Sequence, residues 1–102
     1  MSPRYLLSSE AASDLFEIWD HIRAAASEAV ADRVEPAICE RLALLATFRE
    51  AGHYRRDLTD LDVKFFSVYS YLIVYRPETR PLQIVTILHG HRDLRKILKD
   101  RD

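Results

Sequence analysis

Glycine and proline are scarce in this chain, with two and four copies among 102 residues. That scarcity excludes long linkers and low-complexity tracts, which are built largely from these residues. The single cysteine, Cys39, cannot close a disulfide within the chain. A disulfide-stapled scaffold is therefore excluded, and a reducing cytoplasm is the expected setting. No run of about 18 apolar residues occurs, so no membrane-spanning helix is expected. The stretch after Met1 likewise has no apolar core of signal-peptide length. Neither sign of charge dominates: 15 Lys and Arg against 16 Asp and Glu leave a formal net charge of −1. This balance disfavours direct nucleic-acid binding as the main activity, although a local basic patch is compatible with it. His53, His89, His91 and Cys39 lack the spacing of a closed zinc site, and no cofactor is expected.

What is present is ordinary for a globular chain: 48% hydrophobic and 30% charged residues. The length suits one domain spanning residues 1–102. The densest signal lies near the end. Residues 71–76 (Tyr-Leu-Ile-Val-Tyr-Arg) and 82–89 (Leu-Gln-Ile-Val-Thr-Ile-Leu-His) are rich in β-branched, leucine and aromatic side chains. A turn-forming stretch, Pro77 to Pro81, separates them, so they read as adjacent antiparallel strands. Alternation puts Tyr71, Ile73 and Tyr75 on one face and Leu72, Val74 and Arg76 on the other. The second run ends in a cluster of ionisable groups, His89-Gly90-His91-Arg92-Asp93.

The preceding chain supplies a strand and two helices. Residues 3–7 form a short apolar run. Ser8 and Ser9 then offer N-caps, with Glu10 and Asp14 suited to the positive end of a helix dipole. Leu15, Ile18, Trp19 and Ile22 make one helical stripe, with Trp19 at the core or rim or else anchoring a partner. Ser27 opens a second helix, whose stripe is Val34, Ile38, Leu42 and Leu45. Pro36 conflicts with that helix, so a kink is expected, or a regular part beginning near Glu35. Cys39 beside the stripe reads as a small buried hydrophobe. Gly52 is expected to end the helix in a left-handed conformation. His53, Tyr54, Arg55 and Arg56 form a basic-aromatic cluster, read as a solvated loop balanced by Asp57, Asp60 and Asp62. Residues 62–68 read as a strand leading through a tight turn near Tyr69-Ser70. Residues 94–99 read as a short helix. The predicted fold is therefore α+β: an N-terminal strand, an antiparallel helical hairpin, a three-stranded antiparallel meander and a short C-terminal helix.

This order of elements resembles the RelE/ParE superfamily of toxin–antitoxin toxins, and several segments look like its ParE branch. The opening strand and helix, residues 5–22, carry alanine, aspartate-leucine and isoleucine at the family's places. Ile87-Leu-His-Gly-His-Arg-Asp93 matches the pattern that closes the family's last strand, and Lys64 stands where a basic residue precedes the second strand core. The chain departs from the pattern in having no proline ahead of Gly52 and in placing Pro36 inside the second helix.

The resemblance implies a cytoplasmic growth inhibitor of a type II toxin–antitoxin system, neutralised by a ParD-like antitoxin and acting by binding DNA gyrase, with no catalytic residues. Trp19, Tyr71, Tyr75, Arg76, His89 and Arg92 are the candidate antitoxin- or target-binding residues. Two other readings stay open. One is an mRNA endoribonuclease of the RelE branch, with Lys64, Arg76, His89, His91 and Arg92 supplying the proton transfers and positive charge that 2′-hydroxyl attack on a phosphate needs. The other is a non-toxic relic that still binds its antitoxin.

Overall fold

The computed structural model describes residues 4–89. The elements follow the order β1 (Tyr5–Leu7), α1 (Ser9–Ala25), α2 (Glu28–Thr47), β2 (Lys64–Val68), β3 (Tyr71–Arg76) and β4 (Leu82–His89). The expected helix at residues 94–99 lies outside the described residues.

Both helices begin on the serines that the sequence marks. Ser8 Oγ accepts from the Ala11 amide at 2.9 Å and Ser27 Oγ from the Val30 amide at 3.1 Å, satisfying donors that have no partner within the first turn. The two apolar stripes face the sheet: Leu15, Ile18, Ile38, Leu42 and Leu45 are buried against Ile73, Tyr75, Leu82, Ile84 and Ile87. Cys39 packs at the edge of this cluster, as expected of a small hydrophobe.

β1 joins the expected antiparallel meander as a parallel strand, a direction that the sequence pattern leaves open. The strand order is β1-β4-β3-β2, and β1 pairs with β4 in parallel, Tyr5 opposite Leu82 and Leu7 opposite Ile84. The chain must leave β1 through α1 and α2 before it returns, and a long crossover of this kind permits parallel pairing. The other two pairings are antiparallel, and Tyr71, Ile73 and Tyr75 share the helix-side face as predicted. A second cluster lies on the other face, where Val63, Phe65, Val74 and Leu88 are buried beneath Leu58 and Leu61 of the long loop.

Two local expectations change. α2 runs unbroken from Glu28 to Thr47 with Pro36 inside it, so its regular part does not wait for Glu35. Pro36 is exposed, on the side where water can serve the carbonyl that loses its partner. Gly52 does not end the helix: Phe48 is the C-cap, its amide bonded to the Leu44 carbonyl at 2.8 Å, and no described glycine has positive φ. The left-handed residue is Tyr69, with φ of 53°, in the turn joining β2 to β3. Tight hairpins need a positive φ at this place, and here a tyrosine, 65% exposed, supplies it at a steric cost glycine would avoid.

Candidate functional site

The polar groups that matter gather at two places on the sheet. On β4, the ladder slips between Val74 and Tyr75: Val74 faces Thr86 while Tyr75 faces Ile84, leaving Val85 without an opposite residue. Such a bulge frees backbone groups from the ladder. They are taken up from the start of α1. Ser8 Oγ donates to the Val85 carbonyl at 2.6 Å, and the Asp14 carboxylate accepts from the Ile87 amide at 3.1 Å and from the Thr86 hydroxyl. Asp14 is buried together with Ala11, Leu15 and Ile18.

Beside Asp14 opens a cleft of about 420 Å³, lined by Glu17, Ile18 and His21 of α1 and by Tyr71, Ile87 and His89 of the sheet. Tyr71 and His89, opposite each other in the ladder, meet edge to face with ring centroids 5.5 Å apart. Burial pushes the Tyr71 phenol above its ordinary value of 10.0, so it stays protonated through the physiological range.

The second place is arranged around Tyr75, which is wholly buried. Its hydroxyl donates to the Arg49 carbonyl at 2.8 Å and accepts from the Gly52 amide at 2.9 Å. Tyr75 is thus a pin between sheet and loop, with no surface to offer a partner. A β-carbon on Gly52 would lie 2.5 Å from the Tyr75 hydroxyl and 2.8 Å from the Phe65 carbonyl. This close approach, rather than a left-handed turn, is why glycine is required.

Lys64 stands opposite Tyr75, its side chain 7% exposed and its Nζ 2.5 Å from Glu50, which is itself 84% exposed. The ammonium also lies 5.0 Å from the Tyr54 ring centroid, and Arg56 lies 4.7 Å from the same ring. Arg55 pairs with Asp57 at 2.9 Å, so the basic-aromatic loop is partly balanced within itself. The hydrogen bond to Glu50 raises the Lys64 pKa above 10.5, with burial opposing it. The pair's stability is therefore complete below pH 10.5 and is lost as pH rises through the raised value. Because Glu50 is so exposed, Glu50→Gln is expected to cost under about 1 kcal/mol at neutral pH. The difference from the parent should vanish in strong alkali, as read by denaturant unfolding at stepped pH.

Among the described residues, those proposed for RNA cleavage, Lys64, Arg76 and His89, lie apart. Tyr71 and Tyr75, the ladder partners of His89 and Lys64, are separated along β3 by roughly 13 Å, and β3 itself lies between β4 and β2. Arg76, next along β3, lies in a groove with Leu6 and Val85, on the face of the sheet opposite Lys64 and Tyr75. His91 and Arg92 lie outside the described residues. Cys39 is no substitute nucleophile, because burial and then the Glu35 carboxylate hold its thiol above 9.0. Among the described residues no group of three or more His, Cys, Asp or Glu is placed to hold a metal ion, and no helix is long and apolar enough to cross a membrane.

Trp19 is half-buried. Its indole donates to Asp32 at 2.9 Å, tying α1 to α2, and its ring stacks on Phe16 at 6.4 Å. Phe16 is 66% exposed, and with Leu7, Ala12, Leu15 and Glu35 the two aromatics line an apolar cleft on the outer side of α1.

A family model described as "ParE toxin of type II toxin-antitoxin system, parDE" matches residues 5–94. The chain belongs to the ParE toxin family. The P. aeruginosa structure described as a "Chromosomal ParDE TA system" has the same fold, with a TM-score of 0.71 and 20% identity over 83% of this chain and 92% of that one. No curated protein matches the chain by sequence. Membership agrees with the α+β order of this ParE chain and its helical hairpin on a four-stranded sheet.

Of the binding residues expected from the sequence, Tyr71 and His89 share the cleft beside α1, Trp19 and Arg76 line separate grooves, and Tyr75 is internal. Asp14 is the participant that periodicity alone would have exposed. Ala11, Asp14, Leu15 and Ile18 fall at i, i+3, i+4 and i+7, so a carboxylate sits within an apolar stripe, where it requires a partner.

Proposed function

We propose that this chain, acting as one toxin domain over residues 1–102, inhibits growth in the cytoplasm by binding DNA gyrase and is neutralised by a ParD-like antitoxin. The observation that carries the binding reading is the dispersal of Lys64, Arg76 and His89 over separate places, so that the described residues offer no common centre for acid, base and cation. Family membership supplies the antitoxin, and the P. aeruginosa ParDE structure supports such a partner. The Phe16–Trp19 cleft, the Tyr71–His89 cleft and the Arg76 groove are the contact surfaces.

The test is pulse-labelling of DNA and protein synthesis after induction of the chain alone. DNA synthesis is expected to fall first, with a DNA-damage response, and co-production of the antitoxin should restore growth. Early loss of protein synthesis with cleaved mRNA would select the ribonuclease reading, and undisturbed growth would select a partner-binding relic. In a folded His89→Ala/His91→Ala variant any loss of toxicity should follow its loss of affinity for gyrase, because His89 lines a contact surface and no proton transfer is asked of either histidine.

A further inference from the structure

The edge of the sheet farthest from β1 belongs to β2, and it is half closed. His53 and Phe65 exchange two backbone bonds, at 2.9 and 2.8 Å, so the amide and carbonyl of Phe65 point away from β3. Alternation along an antiparallel strand turns the amide and carbonyl of Ser67 the same way, and Ser67 is exposed. Among the described residues no strand pairs with them. Edge strands are commonly guarded by lysine, proline or a bulge, and residues 65–68 (Phe-Phe-Ser-Val) contain none of these.

Beside this edge, Glu40 and Arg41 of α2 face Phe66, Ser67, Val68 and Tyr69 across a groove of about 480 Å³. Both charged residues are exposed, and neither has an ion-pair or hydrogen-bond partner among the described residues. On the helix surface Arg41 shares a stripe with Leu44 and with Phe48, which is 62% exposed. Tyr69 stands at the end of the groove. Its φ of 53° carries a steric cost, and among the described residues no hydrogen bond or ring contact of Tyr69 offsets it.

We propose that two copies of the chain join through β2, antiparallel about a twofold axis at Ser67. The Ser67 amide of each copy donates to the Ser67 carbonyl of the other. His53 already occupies the next outward pair, at Phe65, which fixes the register and keeps the new ladder short. Phe66 then lies opposite Val68 of the second copy on the helix side, where both residues already pack on the core. Glu40 and Arg41 of one copy meet Arg41 and Glu40 of the other, and Tyr69 closes each end. A surface that carries one donor, one acceptor, one anion and one cation is its own complement under a twofold axis. With a net charge of −1, the chain does not repel itself. The grooves beside β1 lie at the opposite edge of the sheet and stay open in the dimer, so self-association stands apart from the toxin reading.

The experiment is sedimentation velocity of the purified full chain over a dilution series, with amide exchange at Ser67 followed at both ends of the series. The parent should pass from monomer to dimer with a dissociation constant of roughly 1–100 µM, as a small interface gives. At the concentrated end the Ser67 amide should exchange about 10-fold more slowly. Arg41→Glu should raise the dissociation constant about 10-fold or more, and adding Glu40→Arg should return it to within about three-fold of the parent. Tyr69→Gly should weaken the dimer about five-fold or more, while the monomer melts no lower than the parent because glycine relieves the positive φ. A chain that stays monomeric up to about 1 mM, or a dimer that changes less than about two-fold with both Arg41→Glu and Tyr69→Gly, would overturn the proposal. So would a Ser67 amide slowed only by added antitoxin or gyrase, which would give this edge to that partner.

Discussion

Replacing Asp14 with alanine should lower the stability of this protein by about 3 kcal/mol, a drop in Tm of roughly 10–20 °C for a domain of this size. The carboxylate is buried and serves the Thr86 hydroxyl and the Ile87 amide, both at the bulge of β4. Removing it strands these donors in the interior, and each unsatisfied buried group costs about 1–3 kcal/mol. Asp14→Asn keeps one acceptor and should lose about half as much. Thr86→Val removes a single partner and should cost about 1 kcal/mol. Thermal unfolding of the three variants tests this order. If Asp14→Ala melted within about 3 °C of the parent, Asp14 would not be holding α1 to the bulge.

The second large effect is expected at Gly52. A methyl group there meets the Tyr75 hydroxyl at 2.5 Å, the Phe65 carbonyl at 2.8 Å and a Tyr75 ring carbon at 2.9 Å. The neighbours cannot yield easily, because Phe65 is fixed by two backbone bonds to His53 and Tyr75 is fully buried. Gly52→Ala should therefore cost about 3 kcal/mol or more. Tyr75→Phe alone should cost about 1–3 kcal/mol by unpairing the Gly52 amide and the Arg49 carbonyl. The double variant should lose less than the sum by roughly 1 kcal/mol, because the shortest contact has gone while the Phe65 contact persists. Strict additivity in chemical denaturation would show that the two residues do not share this contact.

Both effects lie where sequence reading had least purchase. Helices and strands declared themselves through local regularities: capping serines at Ser8 and Ser27, stripes at three- and four-residue spacing, and alternation through Tyr71, Ile73 and Tyr75. These signals act over a turn or two of chain. The β4 bulge depends instead on where α1 lands, and the closeness of Gly52 to Tyr75 depends on how the loop folds back over 23 residues. Neither leaves a periodic trace. The parallel direction of β1 was hidden for the same reason, since a three-residue run carries no information about its partner. Among candidate site residues, chemistry marked Arg76, Trp19 and His89, but only the register of the sheet shows that His89 and Lys64 occupy opposite ends. Tyr75 is among the contact residues that the resemblance implies, whereas its hydroxyl is consumed inside the fold.

The pairing of β1 with β4 also sets the order in which the molecule can be completed during synthesis. Ser8 and Asp14 are made early, yet their partners Val85, Thr86 and Ile87 follow 72 to 77 residues later. Until β4 leaves the ribosome, α1 has only its helical neighbour to rest on. Closing so long a loop before any reward is slow compared with forming the helical hairpin. A nascent chain of this protein thus has no finished sheet, and no cleft between α1 and β4, until β4 is free to join β1 and β3.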